Sequence, residues 1–375
     1  MLPSTPSAGS LPWCAVRLSE LTTLRLGGPA ARYLEADTDE AVVAAVRAAD
    51  HAGEPLLVLA GGSNVVVADE GFPGTVVRIA TRGVSRTDTT LEVAAGESWD
   101  PLVADCVARG LAGVECLAGI PGSVGATPIQ NVGAYGQEVA ETITGVRVLD
   151  RVTDTVAELD PAACAFTYRS SAFKRHPGRW IVLAVRFVLE ASEQSAPIRY
   201  AELARALQVQ IGDRAPLAQV REAVLALRRA KGMVIDPADP DTASAGSFFT
   251  NPVLDVAAFS ALQARVAERV GPDARPPAWP EGDGHVKTSA AWLIERAGFG
   301  RGQGDPEGIA ISAKHTLALT NRGAGTTTQL VALAREIAGG VRDAFGVELT
   351  PEPVFVGHRW PSGLPSGSGG RTVAL

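Results

Sequence analysis

Four short clusters in this chain combine residue types able to move protons or hold anions. The first is SAGSFFTNP, from Ser244 to Pro252. Gly246 frees the backbone ahead of Ser247, and Phe248 and Phe249 supply an apolar anchor directly after it. A hydroxyl held this way can donate a proton to a bound substrate, although an ordinary loop over two core phenylalanines has the same composition. The second, FTYRSSAFKRH (Phe166 to His176), sets Arg169 beside Tyr168 with Lys174 close by. Such a group can neutralise a carboxylate or phosphate, the arginine bidentately. In the third, Arg228-Arg229-Ala230-Lys231, the cations end a helix and suit its dipole, so only Lys231 is singled out. In the fourth, LTPEPVF, Glu352 stands between two prolines at the entry to a strand, either exposed or rigidly fixed in a site.

Two glycine-rich sites complete the set. Gly61-Gly62-Ser63-Asn64 follows an apolar strand, and Gly119-Ile120-Pro121-Gly122-Ser123-Val124-Gly125 follows a helix. Each can turn backbone amides toward a phosphate, and two in one half of the chain favour a dinucleotide. No G-x-G-x-x-G opens a βαβ unit and no P-loop occurs, so a Rossmann domain and a P-loop nucleotidase are disfavoured. The five histidines show no metal-ligand spacing, and no metal is expected.

These groups need elements to carry them. Residues 38 to 53 read as a helix with Thr38 as N-cap and Gly53 as terminator. PLLVLAGGSNVVV reads as strand, glycine turn and apolar run, and a β-rich stretch extends from Thr75 to Val93. Asp100-Pro101 is expected to start a helix as N-cap and first residue, closed by Gly110. The glycine loop runs from Gly119 to Glu138, with strands near 145–150 and 181–189. Pro216 to Lys231 is a helix burying Leu217, Val220, Val224 and Leu227. Asp236 to Thr242 reads as a linker. Helices over 289–297 and 327–345 and a strand over 316–320 follow, and the Gly/Ser/Pro-rich tail from His358 is expected to be disordered.

At 375 residues the chain should hold two or three domains. Its 46% hydrophobic and 20% charged content is that of a globular protein, and no apolar run reaches the ~18 residues of a membrane span. Net charge −7 argues against a nucleic-acid partner. The N-terminus shows no signal-peptide pattern. Cys14, Cys106, Cys116 and Cys164 form no C-x-x-C pair, which fits reduced thiols in the cytoplasm.

In order along the chain, TTLRLGG, LAGGSNVVV, GIPGSVGATPIQNVGAYGQE, FTYRSSAFK, AGSFFTNPV, SAAWLIERAG, SAKHTLALTN and PEPVF resemble the UDP-N-acetylenolpyruvoylglucosamine reductases. These flavoenzymes make UDP-N-acetylmuramate for peptidoglycan. The resemblance spans about Thr22 to Val356 and implies an α+β protein. Its FAD-binding half would be of the vanillyl-alcohol-oxidase type, with subdomains at 18–85 and 86–235. A substrate domain at 244–346, a returning strand at 347–357 carrying the glutamate, and a disordered tail at 358–375 would follow.

By motif position the resemblance makes Arg169, Ser247 and Glu352 catalytic, with Ser247 the proton donor. FAD, held non-covalently, would lie on Gly61, Gly62, Ser63 and Asn64 and on Pro121, Gly122, Ser123, Gly125, Ala126, Gln130 and Gly133. Substrate contacts would fall on Tyr135, Tyr168, Tyr200, Lys231, Asn251 and His315. Tyr200, in SAPIRYAEL, matches the mobile-loop tyrosine of the family's longer form. NADPH would supply hydride, and the partners would be the UDP-sugar and NADPH, on a monomeric cytoplasmic enzyme. Departures are local: His315 replaces a glutamine of some members, GMVIDP after Lys231 is atypical, and a tail is added. Two other readings are an FAD-linked oxidase of the same fold and a non-catalytic nucleotide-sugar binding protein. His51 and the cysteines lack a covalent-flavin motif, which disfavours the oxidase.

Overall fold

The computed structural model describes residues 16–358, Trp360 and 372–374. The chain begins with a parallel sheet in the order Ala30–Ala36, Phe72–Ile79, Leu56–Leu59. Leu56–Leu59 is buried on both faces, as a parallel strand covered on two sides must be. The Asp39–Ala52 helix packs here through Val42, Val46 and Ala49, one stripe at helical spacing. It starts and stops where its residues direct: the Thr38 hydroxyl accepts the Ala41 N–H, and Gly53 takes the left-handed turn at φ 62°.

A five-stranded antiparallel sheet follows, in the order Thr155–Leu159, Ile143–Asp150, Trp180–Val188, Thr90–Ala94, Val84–Thr87. Because Val84–Thr87 belongs to this second sheet, the expected division at 85/86 falls inside one of its strands. Across the two sheets the core is continuous, joining Val42, Val58 and Val77 to Val93, Trp99, Val185 and Val220. The helix expected at Asp100 starts instead at Trp99, with Ser98 in the N-cap position. The Asp100 carboxylate is occupied elsewhere, accepting the Gly119 N–H at 2.6 Å and tying the second glycine loop to this helix. The Leu217–Ala230 helix buries Leu217, Val220, Val224 and Leu225; Leu227 is only half-buried, and Arg228 continues the stripe.

The last part is an α+β domain. Ser244–Ser247, Ala318–Asn321 and Ile309–Ile311 form its sheet, against helices Val256–Val270, Ala290–Arg296 and Thr327–Phe345. Its core takes in Leu24, Leu26 and Val66 from the front of the chain. Polar ties reinforce this docking. The Asp69 carboxylate accepts the N–H groups of Thr327 and Thr328 at 2.7 and 2.9 Å, and Asn321 Nδ2 donates to the Leu24 carbonyl.

Two expectations need correction. Residues 236–242 are not a loose linker, because Asp241 is buried, pairs with Arg322 at 2.9 Å and accepts the Ala313 N–H. The tail is also partly structured. The Thr372–Ala374 backbone pairs in parallel with Leu56–Val58, and the Trp360 ring lies 5.8 Å from that of Phe355. The rest of the tail expectation, on 359, 361–371 and 375, lies outside the described residues, as does Cys14.

Candidate active site

One extended segment gathers the distant motifs. Glu352 N–H donates to the Phe248 carbonyl at 2.9 Å, Thr250 N–H to that of Thr350 at 3.0 Å, and Val354 N–H to that of Asn64 at 3.0 Å. Val354–Val356 then pairs in parallel with Val65–Val67. The PEPVF segment therefore bridges the serine motif and the first glycine motif, which are far apart in sequence. Behind it Phe248 and Phe249 are buried edge-to-face at 5.2 Å, and Phe355 meets Phe248 at 6.2 Å.

At this junction Arg169 Nε lies 3.5 Å from Glu352 Oε1, with both side chains largely withdrawn from solvent. Arg169 sits in a tight Thr167–Ser170 turn at φ 51°, a left-handed conformation that costs a non-glycine residue energy. The Lys174 ammonium donates to the Arg169 carbonyl at 3.1 Å and holds that turn. Ser247 is half-buried across from Ala318, and its hydroxyl has no hydrogen-bond partner among the described residues. Gly246 before it adopts φ 73° with open space where a Cβ would stand. The backbone junction thus brings the Arg169–Glu352 pair to the segment that carries Ser247.

A second group lies alongside. Tyr135 and Tyr200 meet edge-to-face at 5.5 Å, and Lys231 Nζ is 5.7 Å from the Tyr135 ring while pairing with Glu202 at 2.6 Å. Burial pushes the Tyr135 hydroxyl up to about 12. Burial, with Lys231 and Arg301 nearby, lowers His315 to about 4, so it is neutral at pH 7. Lys287 lies 4.5 Å from the Tyr168 ring, and Tyr200 is nearly half exposed. Asn251 has a structural task as well: its carbonyl accepts the Ala290 N–H at 3.0 Å at the start of a helix.

Arg228 was passed over in the sequence as a helix-end cation. It is buried, its Nη2 donates to the Met233 carbonyl, and its Nε has no partner. Its four-residue spacing from Val224, on the buried stripe, was the available signal.

Between the glycine motifs runs a cleft. Of the expected cofactor residues, Gly61, Gly62, Ser63, Asn64, Pro121, Ser123, Ala126 and Gln130 line it, together with Lys174. Gly122, Gly125 and Gly133 are not on its wall. A Cβ on Gly61 would lie 2.5 Å from the Gly122 Cα, and one on Gly125 would lie 2.5 Å from the Ala95 Cβ. Gly61 lets the two loops pack back to back, and Gly125 lets the second loop lie against Ala95, rather than opening the cleft themselves. Gly133 borders the Arg169 guanidinium instead. The Ser123 hydroxyl is buried without a partner in the cleft wall, a donor available to a ligand. The residues fit an elongated dinucleotide such as FAD.

Comparison with known proteins agrees with this geometry. Residues 30–160 match the FAD binding domain family, and residues 237–356 match the C-terminal domain of UDP-N-acetylenolpyruvoylglucosamine reductase. The UDP-N-acetylenolpyruvoylglucosamine reductase of Streptomyces avermitilis is 61% identical over 341 residues, 91% of this chain and 93% of that protein. That of Cutibacterium acnes is 49% identical over 352 residues, 91% of this chain and 89% of the other. This chain belongs to the UDP-N-acetylenolpyruvoylglucosamine reductase family. The crystal structure of the Thermus caldophilus reductase superposes with a TM-score of 0.63 at 25% identity, covering 92% of this chain and 99% of that one. The architecture is accordingly a two-subdomain FAD-binding half followed by the C-terminal α+β domain of this family.

Proposed function

We propose that this enzyme reduces UDP-N-acetylglucosamine enolpyruvate to UDP-N-acetylmuramate for peptidoglycan precursor synthesis, with Arg169, Ser247 and Glu352 as the reacting groups and NADPH as hydride source. The observation that carries the residue assignment is the junction at which Glu352 meets Arg169 at 3.5 Å and bonds by its N–H to the residue after Ser247. FAD, when bound, supplies a carrier that takes two electrons with a proton from a nicotinamide and releases them as hydride.

Net reduction places a hydride and a proton across the enol ether double bond. Hydride can add at carbon 3 only if negative charge building at carbon 2 spreads into the substrate carboxylate. In this reading Arg169 receives that carboxylate, and its held turn would mean little reorganisation when charge develops. A substrate carboxylate at this guanidinium would face Glu352, and two carboxylates at one cation favour sharing a proton. Ser247, with an unengaged hydroxyl, delivers the proton to carbon 2. Lys231, Tyr135 and Tyr200 with His315 would line the path of the nucleotide-sugar, and Tyr168 with Lys287 its flank. Asn251 can offer only its amide N–H₂, since its carbonyl is engaged. In this reading a cytoplasmic monomer uses the two small molecules in turn at one pocket.

Ser247→Ala tests the reading by separating the half-reactions. Under anaerobic conditions NADPH should bleach the bound flavin at the wild-type rate. Reoxidation by the enolpyruvyl sugar should slow by roughly 10²–10⁴-fold, the usual share of a positioned acid. Equal slowing of both halves would reassign Ser247 to folding. A protein without flavin that cannot be reconstituted with FAD would leave the non-catalytic binding protein standing.

A further inference from the structure

We propose that Lys174 sets the reduction potential of the flavin, by presenting its ammonium to the ring system where the electrons arrive. The proposal rests on reading the cleft as the FAD site with Arg169, Ser247 and Glu352 at its reacting end.

Lys174 stands on a short turn of helix, Ala172–Arg175, that is pinned from both sides. Ser171 caps it and donates its hydroxyl proton to the Ile129 carbonyl, while Phe173 is buried against Trp180 at 5.8 Å. The lysine side chain is thereby directed into the cofactor cleft, where it shares the wall with Ile129 and Gln130.

Its place along the cleft is fixed by the one hydrogen bond its ammonium makes among the described residues, to the Arg169 carbonyl at 3.1 Å. That puts the ammonium beside the Arg169 turn, at the end of the cleft where Arg169 meets Glu352. An ammonium has three donors, so two remain for a ligand. Lys174 makes no ion pair among the described residues, because Glu352 is taken by Arg169. Burial, which is the largest effect, together with Arg169 lowers its pKa, and the Glu352 charge only partly offsets this. A half-buried cation so placed gains from any negative charge that appears beside it. A flavin ring becomes more electron-rich on reduction, and charge near its ring nitrogens tunes its potential. Lys174 therefore favours the reduced over the oxidised cofactor.

A structural role, in which Lys174 only clamps the Arg169 turn, predicts something different. The discriminating variants are Lys174→Met, which loses donor and charge, and Lys174→Gln, which keeps a donor but loses the charge. Each is reconstituted with FAD as the full chain, and its midpoint potential is read by anaerobic equilibration with a reference dye. Both should bind reduced relative to oxidised FAD about tenfold less well than wild type. For the two-electron couple this is a shift of about 30 mV to more negative potential. Lys174→Arg should restore most of it. An unchanged potential in flavin-replete Met and Gln variants, with only KM for the enolpyruvyl sugar raised, would overturn the proposal and leave a clamp. A wild-type chain that takes up no FAD would overturn the functional reading, and this proposal with it.

Discussion

Replacing Asp69 with Asn tests how the C-terminal domain is held in register with the FAD-binding half. Asp69 caps the Thr327–Phe345 helix from another part of the chain, accepting Thr327 N–H at 2.7 Å, Thr328 N–H at 2.9 Å and Thr328 Oγ1 at 2.7 Å. Asparagine keeps the shape but turns one acceptor into a donor facing those groups. Losing a negative charge at a helix N-terminus costs about 0.3–1 kcal/mol, and losing one hydrogen bond costs about 1 kcal/mol more. Asp69 is part-exposed, so the lower half of that sum applies, about 1.3–1.7 kcal/mol, or a fall in Tm of several degrees at most.

The pH dependence gives a sharper check. Burial alone would raise the Asp69 pKa, but the hydrogen bonds from Thr328 and Thr327 outweigh it and the carboxyl is lowered from 3.8. With a depressed folded pKa, the stabilisation is fully present above the unfolded value near 3.8 and is lost as pH falls through the folded value. The gap in stability between wild type and Asp69→Asn should therefore be constant from pH 8 to about 5 and close below 4, measured by denaturant unfolding at each pH. Equal stability at pH 7, or a gap that persists in acid, would refute the clamp.

Phe248→Ala should cost about 3–5 kcal/mol, because the ring is buried between Phe249 and Phe355, and denaturant titration would show it. Gly61→Ala should drive a Cβ into the Gly122 backbone and weaken FAD binding at least roughly tenfold in apoprotein titration, about 1.4 kcal/mol. His315, lowered to about 4 against 6.5, makes the unfolded chain bind the extra proton between those values, so stability rises with pH across that window. His315→Gln should flatten this dependence between pH 4 and 6.5, and an unaltered slope would remove His315 from the account.

What could be read directly from the residues was local or motif-based. The Asp39–Ala52 helix lies between its Thr38 cap and Gly53, and the Thr327–Phe345 helix opens with a Thr326–Gln329 capping box. Such limits are decided by hydrogen bonds reaching three or four residues, which sequence displays. The same holds for the family, since residue types and their order carried the resemblance. The Asp100 carboxylate shows where local reading ends. It has the composition of an N-cap, but a loop amide brought up by the fold claims it, and Ser98 takes the position.

Tertiary structure alone decided who meets whom. Residues 236–242 are rich in proline and aspartate like a linker, yet Arg322 and the Ala313 amide hold Asp241 inside. Arg228 resembles a surface cation and lies on the buried stripe, while the glycines expected to cradle phosphate are spent partly on bringing two loops into contact. The segment carrying Glu352 bonds to Phe248 and to Asn64, the latter 288 residues away. Helical periods and caps act over a turn, whereas burial of a charge or the touching of two loops depends on packing between segments with no mutual signal in the linear chain.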